Sequence, residues 1–245
     1  MPESGAVPES GAVPESGAVP ENGAVPRHLA LIPDGNRRWA RERGLSARDG
    51  HRAGIAAVGR VAEHAFVMGI EVVTFWWGSP ANLSKRDPVE VAGIVEVLAE
   101  FLTHEAPGLL ERAEASLGAH GRWRTLTPRL AGPLDPLLAQ PTRARRLILL
   151  MAYDGRDELR AAAERLGGGG RDEAEFERAL WTAALPPVDL LIRSGGEPHL
   201  SAAFLLWKLA DAQLAFPDVR WPDFDEAQLD AVVAAWRRTE RRFGR

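Results

Sequence analysis

Four short apolar runs punctuate the chain, and each stops at a polar turn that carries glycine. The first, His28-Leu29-Ala30-Leu31-Ile32, breaks at Pro33-Asp34-Gly35-Asn36. Proline cannot donate to a sheet ladder, so a strand must end there. The second, from Glu71 through Trp76 and Trp77, is β-branched and aromatic and leaves through Gly78-Ser79. The third, Arg146 to Tyr153, meets Asp154-Gly155-Arg156, and the fourth, Val188 to Arg193, meets Ser194-Gly195-Gly196. Runs this apolar read as strands buried on both faces, the habit of parallel sheets.

Helical patterns separate the strands. Arg37 to Arg43 has the composition of a helix's first turns. After a loop from Gly44 to Gly54, Ile55, Val58, Val61, Ala62, Ala65 and Phe66 recur at helical spacing until Gly69 closes the helix. Ser79 to Arg86 reads as a polar loop, and Asp87-Pro88 opens a helix with Val91, Ile94, Val95, Leu98, Phe101 and Leu102 on one face. Beyond His104 the pattern weakens. It predicts an edge strand over Ser116 to Thr127 and a short helix over Asp135 to Gln140 with Asp135 as its cap. Helices over Ala203 to Ala212 and Glu226 to Arg242 flank a short strand from Gln213 to Phe216. The alternation predicts an α/β fold, a central mostly parallel β-sheet flanked by helices. Ligands of such sheets sit beyond the carboxyl ends of the strands, and four polar ends together make a site for a polyanion.

Composition narrows the partners. A net charge of −4 argues against general nucleic-acid binding, and no apolar run approaches the roughly 20 residues of a membrane span. Absence of cysteine excludes disulfides, thiolate zinc and thiol nucleophiles. With no secretory signal at its start, a cytoplasmic location is the expectation. Residues 2–25 repeat one hexapeptide, PESGAV three times and then PENGAV. Ala and Val alone cannot offset its ordering entropy, so residues 1–26 are expected to form a disordered tail and 27–245 one globular domain. Gly167 to Gly170 reads as a flexible connection, because no Lys-Ser or Lys-Thr follows to make a Walker loop. The chain also lacks the GxGxxG dinucleotide fingerprint.

The first strand end carries the most chemistry. Helix N–H groups beside Arg37 and Arg38 attract a phosphate, and Asp34 is placed to hold a divalent cation that bridges to it. A plain helix cap remains open for Asp34 on the residues alone.

Longer motifs decide between these readings. PDGNRRWA (33–40), GHRAG (50–54), SPANLSKR (79–86), YDGRDEL (153–159), DLLIRSGGEPHLS (189–201), FLLW (204–207), WPDF (221–224) and ERRFG (240–244) resemble, in order, the cis-prenyltransferase family typified by undecaprenyl diphosphate synthase. The resemblance implies a homodimer with an apolar tunnel, isoprenyl diphosphate substrates and Mg²⁺. It implies that Gly35, Asn36, Arg37, Arg38 and His51 hold the first diphosphate and that Asp34 is the catalytic carboxylate and metal ligand. Ser79 and Asn82 match positions supporting the reacting groups, while Arg193, His199 and Ser201 match those gripping the second diphosphate. No DDxxD pair of the trans-prenyltransferase type occurs.

The sequence also departs from the family pattern. His199 replaces an arginine, Gln213 replaces a metal-binding glutamate, and one residue among Ala202 and Ala203 is inserted after Ser201. Ala81-Asn82-Leu83 replaces Glu-Asn-Trp, and the arginine expected before His51 is displaced to Ala47-Arg48. A second site rebuilt beside an intact first one predicts head-to-middle joining of two allylic diphosphates, giving a branched lavandulyl-type product for secondary metabolism. Regular head-to-tail elongation with isopentenyl diphosphate to a short product is the alternative, and a non-catalytic scaffold subunit the second. Either Trp76 or Trp77, on opposite faces of one strand, is expected to narrow the tunnel wall. His28, His64, His104 and His120 show no metal spacing and read as structural or exposed. Arg237, Arg238, Arg241 and Arg242 read as a solvated face or dimer contact, with help to the diphosphates across the dimer as a third possibility.

Overall fold

The computed structural model describes residues 25–167 and 172–239. The hexapeptide repeat up to residue 24, the Gly168–Gly170 part of the glycine run and the ERRFG motif therefore lie outside the described residues. Val25 already packs against the core, and the Arg27 N–H donates to Asp189 at 2.8 Å. β1 (His28–Ile32), buried along its whole length, leads into α1 (Asn36–Glu42) and α2 (Ala47–Val67). β2 (Val72–Trp77), α3 (Pro80–Lys85), α4 (Pro88–His104) and α5 (Ala106–Arg112) follow. Then come β3 (Ala115–His120), α6 (Trp123–Leu126), α7 (Ala131–Leu138) and β4 (Arg145–Met151). The chain continues through α8 (Gly155–Leu166), α9 (Glu173–Ala179), β5 (Leu190–Arg193), β6 (Gln213–Ala215) and α10 (Glu226–Arg238).

All six strands run parallel, in the order β3-β4-β2-β1-β5-β6. β1 is central: Leu29 is in register with Val73 on one side and Leu190 on the other. The pleat sorts side chains into two cores. Leu29, Leu31, Val73, Phe75, Leu147 and Leu149 face α2 and α4, joining Val61, Leu98 and Phe101. Ala30, Ile32, Val72, Ile148 and Leu150 face the opposite way with Phe204 and Leu209. Trp77 belongs to the first face and Trp76 to the second, as strand alternation requires.

Several expected elements differ. The 79–86 loop is the helix α3, started by a capping box in which the Ser79 hydroxyl accepts from Asn82 N–H and Asn82 Oδ1 accepts from Ser79 N–H. α2 begins at Ala47 rather than after Gly54, because Ser46 and Asp49 cap it reciprocally. The helix expected at Asp135 starts four residues earlier, with Pro136 inside it. The edge strand stops at His120, and residues 123–126 turn into α6. No helix spans 203–212; successive tight turns do, with Ala202, Ala203 and Leu205 at φ near +50°. Positive φ at Ala203 and Leu205 is incompatible with a right-handed helix, and the Gly155 N–H bonds Ala202 O at 2.9 Å just before them. No described helix is long and apolar enough to cross a membrane.

Candidate active site

Asp34 leaves β1 and Arg193 ends β5, so neighbouring parallel strands deliver a carboxylate and a guanidinium side by side. Arg193 Nη2 donates to Asp34 Oδ2 at 2.8 Å, and Arg38 Nη2 lies 3.2 Å from Asp34 Oδ1. Asp34 does not cap α1. Gly35 is the cap residue, at φ 104°, where a Cβ would also strike Arg220 Cδ at 2.9 Å. The Ser194 hydroxyl accepts from Asp34 N–H and donates to Asp34 O, locking the turn. Burial opposes ionisation of Asp34, but the hydrogen bond and charge of Arg193, with Arg38, hold its carboxyl below the usual range.

α1 lies hard against α2 because Gly50 and Gly54 leave no side chain between them. A Cβ on Gly54 would sit 2.3 Å from Asn36 Oδ1. The packing brings His51 to the turn. A polar cavity of about 400 Å³ results, lined by Asp34, Gly35, Asn36, Arg37, Arg38, His51, Arg86, Arg193 and Glu197. Pro33, Asn36, His51 and Arg86 also line a second, apolar cavity of about 100 Å³, walled by Phe75, Trp77, Leu98, Phe101 and Trp221. Phe75 and Trp221 close it edge to face, 5.7 Å apart. An apolar void of about 150 Å³ accepts benzene, so this one has room for about one five-carbon group.

Asp34, Gly35, Asn36, Arg37, Arg38, His51 and Arg193 all line the polar cavity. Ser201 and His199 do not. Arg193 Nη1 donates to the Ser201 hydroxyl and to the His199 carbonyl, both at 2.8 Å, so these residues hold Arg193 in place. The His199 side chain is exposed and does not line the cavity. Asn82 borders the apolar cavity; its Oδ1 serves the helix cap, which leaves Nδ2 as its donor. Ser79 is buried within that cap. Trp76 and Trp77 both border the apolar cavity, but the Trp76 indole donates to Tyr153 O and packs on Phe204 across the sheet, whereas Trp77 packs with the first core.

Of the four polar strand ends, the β4 end stays out of both cavities. Asp154 caps α8, and buried Tyr153 donates to Glu158, which also accepts from Thr182. Gln213 opens β6 level with Leu190, about 10 Å along the strand from the Arg193 end. The displaced Arg48 pairs with Glu96 on the surface at 2.8 Å. His28 is buried between Pro186 O and Thr74, His64 pairs with Asp230, and His104 is exposed. Sequence reasoning passed over Arg86, although it closes the SPANLSKR motif: half-buried, it lines both cavities.

His51 is neutral near pH 7, because burial, with Arg86 and Arg37 beside it, brings its imidazole down to about 4 against the pull of Glu90. Burial likewise lowers the Arg86 guanidinium, and Arg37 adds to it. Six buried polar side-chain atoms have no hydrogen-bond partner among the described residues, and Asn36 Oδ1, His51 Nε2, Glu90 Oε1 and Arg193 Nε supply four of them. Of these four, the two nitrogens, His51 Nε2 and Arg193 Nε, belong to residues lining the polar cavity and are the atoms that could donate to a bound anion; the two oxygens can only accept. No cluster of three metal-ligating side chains occurs among the described residues. A hard cation here would need oxygens from a bound ligand besides Asp34, the usual habit of Mg²⁺ with phosphates.

Known proteins resemble this chain. Residues 32–244 match the prenyltransferase family model described as undecaprenyl diphosphate synthase. An isoprenyl transferase of Caulobacter vibrioides is 36% identical over 89% of this chain and 87% of its own. The ditrans,polycis-undecaprenyl-diphosphate synthase of Pectobacterium atrosepticum, (2E,6E)-farnesyl-diphosphate specific, is 35% identical over 89% of each chain. The crystal structure of lavandulyl diphosphate synthase from Lavandula x intermedia, in complex with dimethylallyl diphosphate, superposes with TM-score 0.85 at 32% identity. That match covers 90% of this chain and 99% of the other. A cavity lined by guanidinium groups at parallel strand ends, bordered by an apolar one, thus sits in a chain that belongs to the undecaprenyl diphosphate synthase family of prenyl-transferring enzymes.

Proposed function

We propose that this enzyme ionises a short allylic diphosphate and joins it head to tail to isopentenyl diphosphate, giving a short product. One observation carries the reading: the cationic cavity of Asp34, Asn36, Arg37, Arg38, Arg86 and Arg193 shares a wall with an apolar cavity of about 100 Å³. Relatives named isoprenyl transferase and undecaprenyl-diphosphate synthase support elongation over other prenyl chemistry.

The residues suit the bond being broken. As the allylic carbon–oxygen bond lengthens, negative charge grows on the diphosphate, and Arg37, Arg38, Arg86 and the N–H groups of the Asp34–Asn36 turn meet it. Mg²⁺, held by Asp34 together with the diphosphate, would supply further neutralisation. The allylic cation is left against Trp77 and Phe75, where aromatic faces stabilise positive charge. Arg193, aimed by Ser201 and the His199 carbonyl, faces the second diphosphate. The same reading takes 27–245 as one catalytic domain, working as a cytoplasmic homodimer, with residues 1–26 outside it. A scaffold role would have no use for this cationic set.

Head-to-middle joining of two allylic diphosphates is the second reading. It is favoured by the exposed His199 side chain, the αL pair Ala202-Ala203 and the likeness to lavandulyl diphosphate synthase. Incubation with dimethylallyl diphosphate alone, and then with isopentenyl diphosphate added, separates the two. Linear product that requires isopentenyl diphosphate upholds elongation; branched product from the single substrate replaces it with the second reading.

A further inference from the structure

Glu90 stands in the first turn of α4 and does not line the polar cavity. Asp87 already caps that helix, accepting from Val89 and Glu90 N–H, so the cap does not require the Glu90 carboxylate. Nor is the side chain a solvated one: it is 20% exposed, and its Oε1 is buried without a hydrogen-bond partner. That oxygen lies 3.5 Å from His51 Nε2 on α2 and 3.9 Å from Arg37 Nε on α1. His51 Nε2 is itself buried and unpartnered. The Arg86 side chain makes no ion pair or hydrogen bond among the described residues, and its charge is repelled by Arg37 and attracted by Glu90 and Asp34. Two donors from two segments therefore approach one carboxylate, a third is drawn to it by charge, and the two contacts are longer than a good hydrogen bond. All three donors line the polar cavity, and the carboxylate does not.

We propose that Glu90 is a positioning residue of the diphosphate site: it holds His51, Arg37 and Arg86 turned toward the anion without touching it. This rests on the diphosphate reading of the cavity. Like-charged Arg37 and Arg86 repel each other, and Glu90 is the carboxylate that keeps them and the imidazole within one small volume. The loose contacts leave each donor free to give a full hydrogen bond to phosphate oxygen. A residue acting only by its charge would do the reverse, repelling the anion.

The test is calorimetric titration of the full-length protein with inorganic pyrophosphate and Mg²⁺, for wild type, Glu90→Gln and Glu90→Ala, alongside steady-state kinetics. Positioning predicts pyrophosphate binding weaker by about fivefold in Glu90→Gln and about tenfold in Glu90→Ala. KM for the allylic diphosphate should rise in step, with kcat within about twofold. Unchanged or tighter pyrophosphate binding by Glu90→Gln overturns the proposal, as does a fall in kcat with KM unmoved. Near-isosteric Glu90→Gln guards against loss of fold in Glu90→Ala, with circular dichroism as the check. Failure of wild type itself to bind pyrophosphate would overturn the diphosphate reading too, whereas normal wild-type binding matched by Glu90→Gln removes Glu90 alone.

Discussion

Arg193 and Asp34, 159 residues apart in sequence, meet at 2.8 Å across the β5–β1 boundary. The guanidinium is almost fully buried and the carboxylate about one-third exposed, so the pair sits between protein interior and cavity water. Asp34→Asn keeps the shape and removes the charge. Turnover should fall about 10²- to 10³-fold, the usual cost of losing one electrostatic element at a reacting centre. Partial exposure of Asp34 limits the stability loss to about 1–2 kcal/mol, a few degrees in melting temperature. Retained turnover in a folded Asp34→Asn protein would remove Asp34 from the chemistry.

Stability should decline on mild acidification. His28 is fully buried; its Nδ1–H donates to Pro186 O, so Nε2 accepts from the Thr74 hydroxyl, a pattern that suits the neutral ring. Burial lowers His28 to about 4 from 6.5. A depressed histidine binds its proton in the unfolded chain first, so stability is full above about 6.5 and is lost as pH falls toward 4. His28 alone accounts for about 3 kcal/mol over that window. His51, lowered likewise, adds to the slope. Below pH 4 the depressed Asp34 carboxyl takes over, its stabilisation disappearing as pH falls through its folded value. Urea unfolding from pH 7 to pH 4 measures this, and His28→Gln should flatten the upper part of the curve.

The strand ends were legible because their signals are local: an apolar run, then proline, glycine and an acid. β1 to α1 follows that grammar residue by residue. The end of β4 has the same grammar and a different fate, because Tyr153, Glu158 and Thr182 satisfy one another inside the protein. Sequence cannot tell a polar residue awaiting a ligand from one already paired across 24 positions. α3 was overlooked although Ser79-Pro80-Ala81-Asn82 carries a cap and a first-turn proline, because asparagine replaced the usual Glu or Gln of a capping box. Arg86 and Glu90 were illegible as a pair with His51 and Arg37, since only packing brings α1, α2 and α4 together.

Product length should depend on one tryptophan of the two. Both border the apolar cavity of about 100 Å³, but the Trp76 ring packs on Phe204 in the opposite core, while Trp77 packs in the core that walls the cavity. Trp77→Ala should open space for at least about one more prenyl unit and lengthen the product, as read by mass spectrometry. Trp76→Ala should leave product length unchanged while destabilising the fold by about 2–4 kcal/mol through lost packing. Equal product lengths from wild type and Trp77→Ala would show that another side chain stops the chain.

The turn after Ser201 supplies the last prediction. Ala202 and Ala203 both hold φ near +50°, a conformation that costs an L-residue about 1–2 kcal/mol and glycine little. Glycine also loosens the unfolded chain, which returns about 0.4–1 kcal/mol of that gain. Net stabilisation of about 0.5–1 kcal/mol is therefore expected for Ala202→Gly, whose carbonyl still receives the Gly155 N–H. The same segment leads directly from Ser201, which steadies Arg193. Greater backbone freedom there should raise KM for the second diphosphate and leave that for the first unchanged. Urea midpoints and the two KM values decide the matter. A destabilised Ala202→Gly would mean that the alanine methyl contributes more by packing than its backbone angle costs.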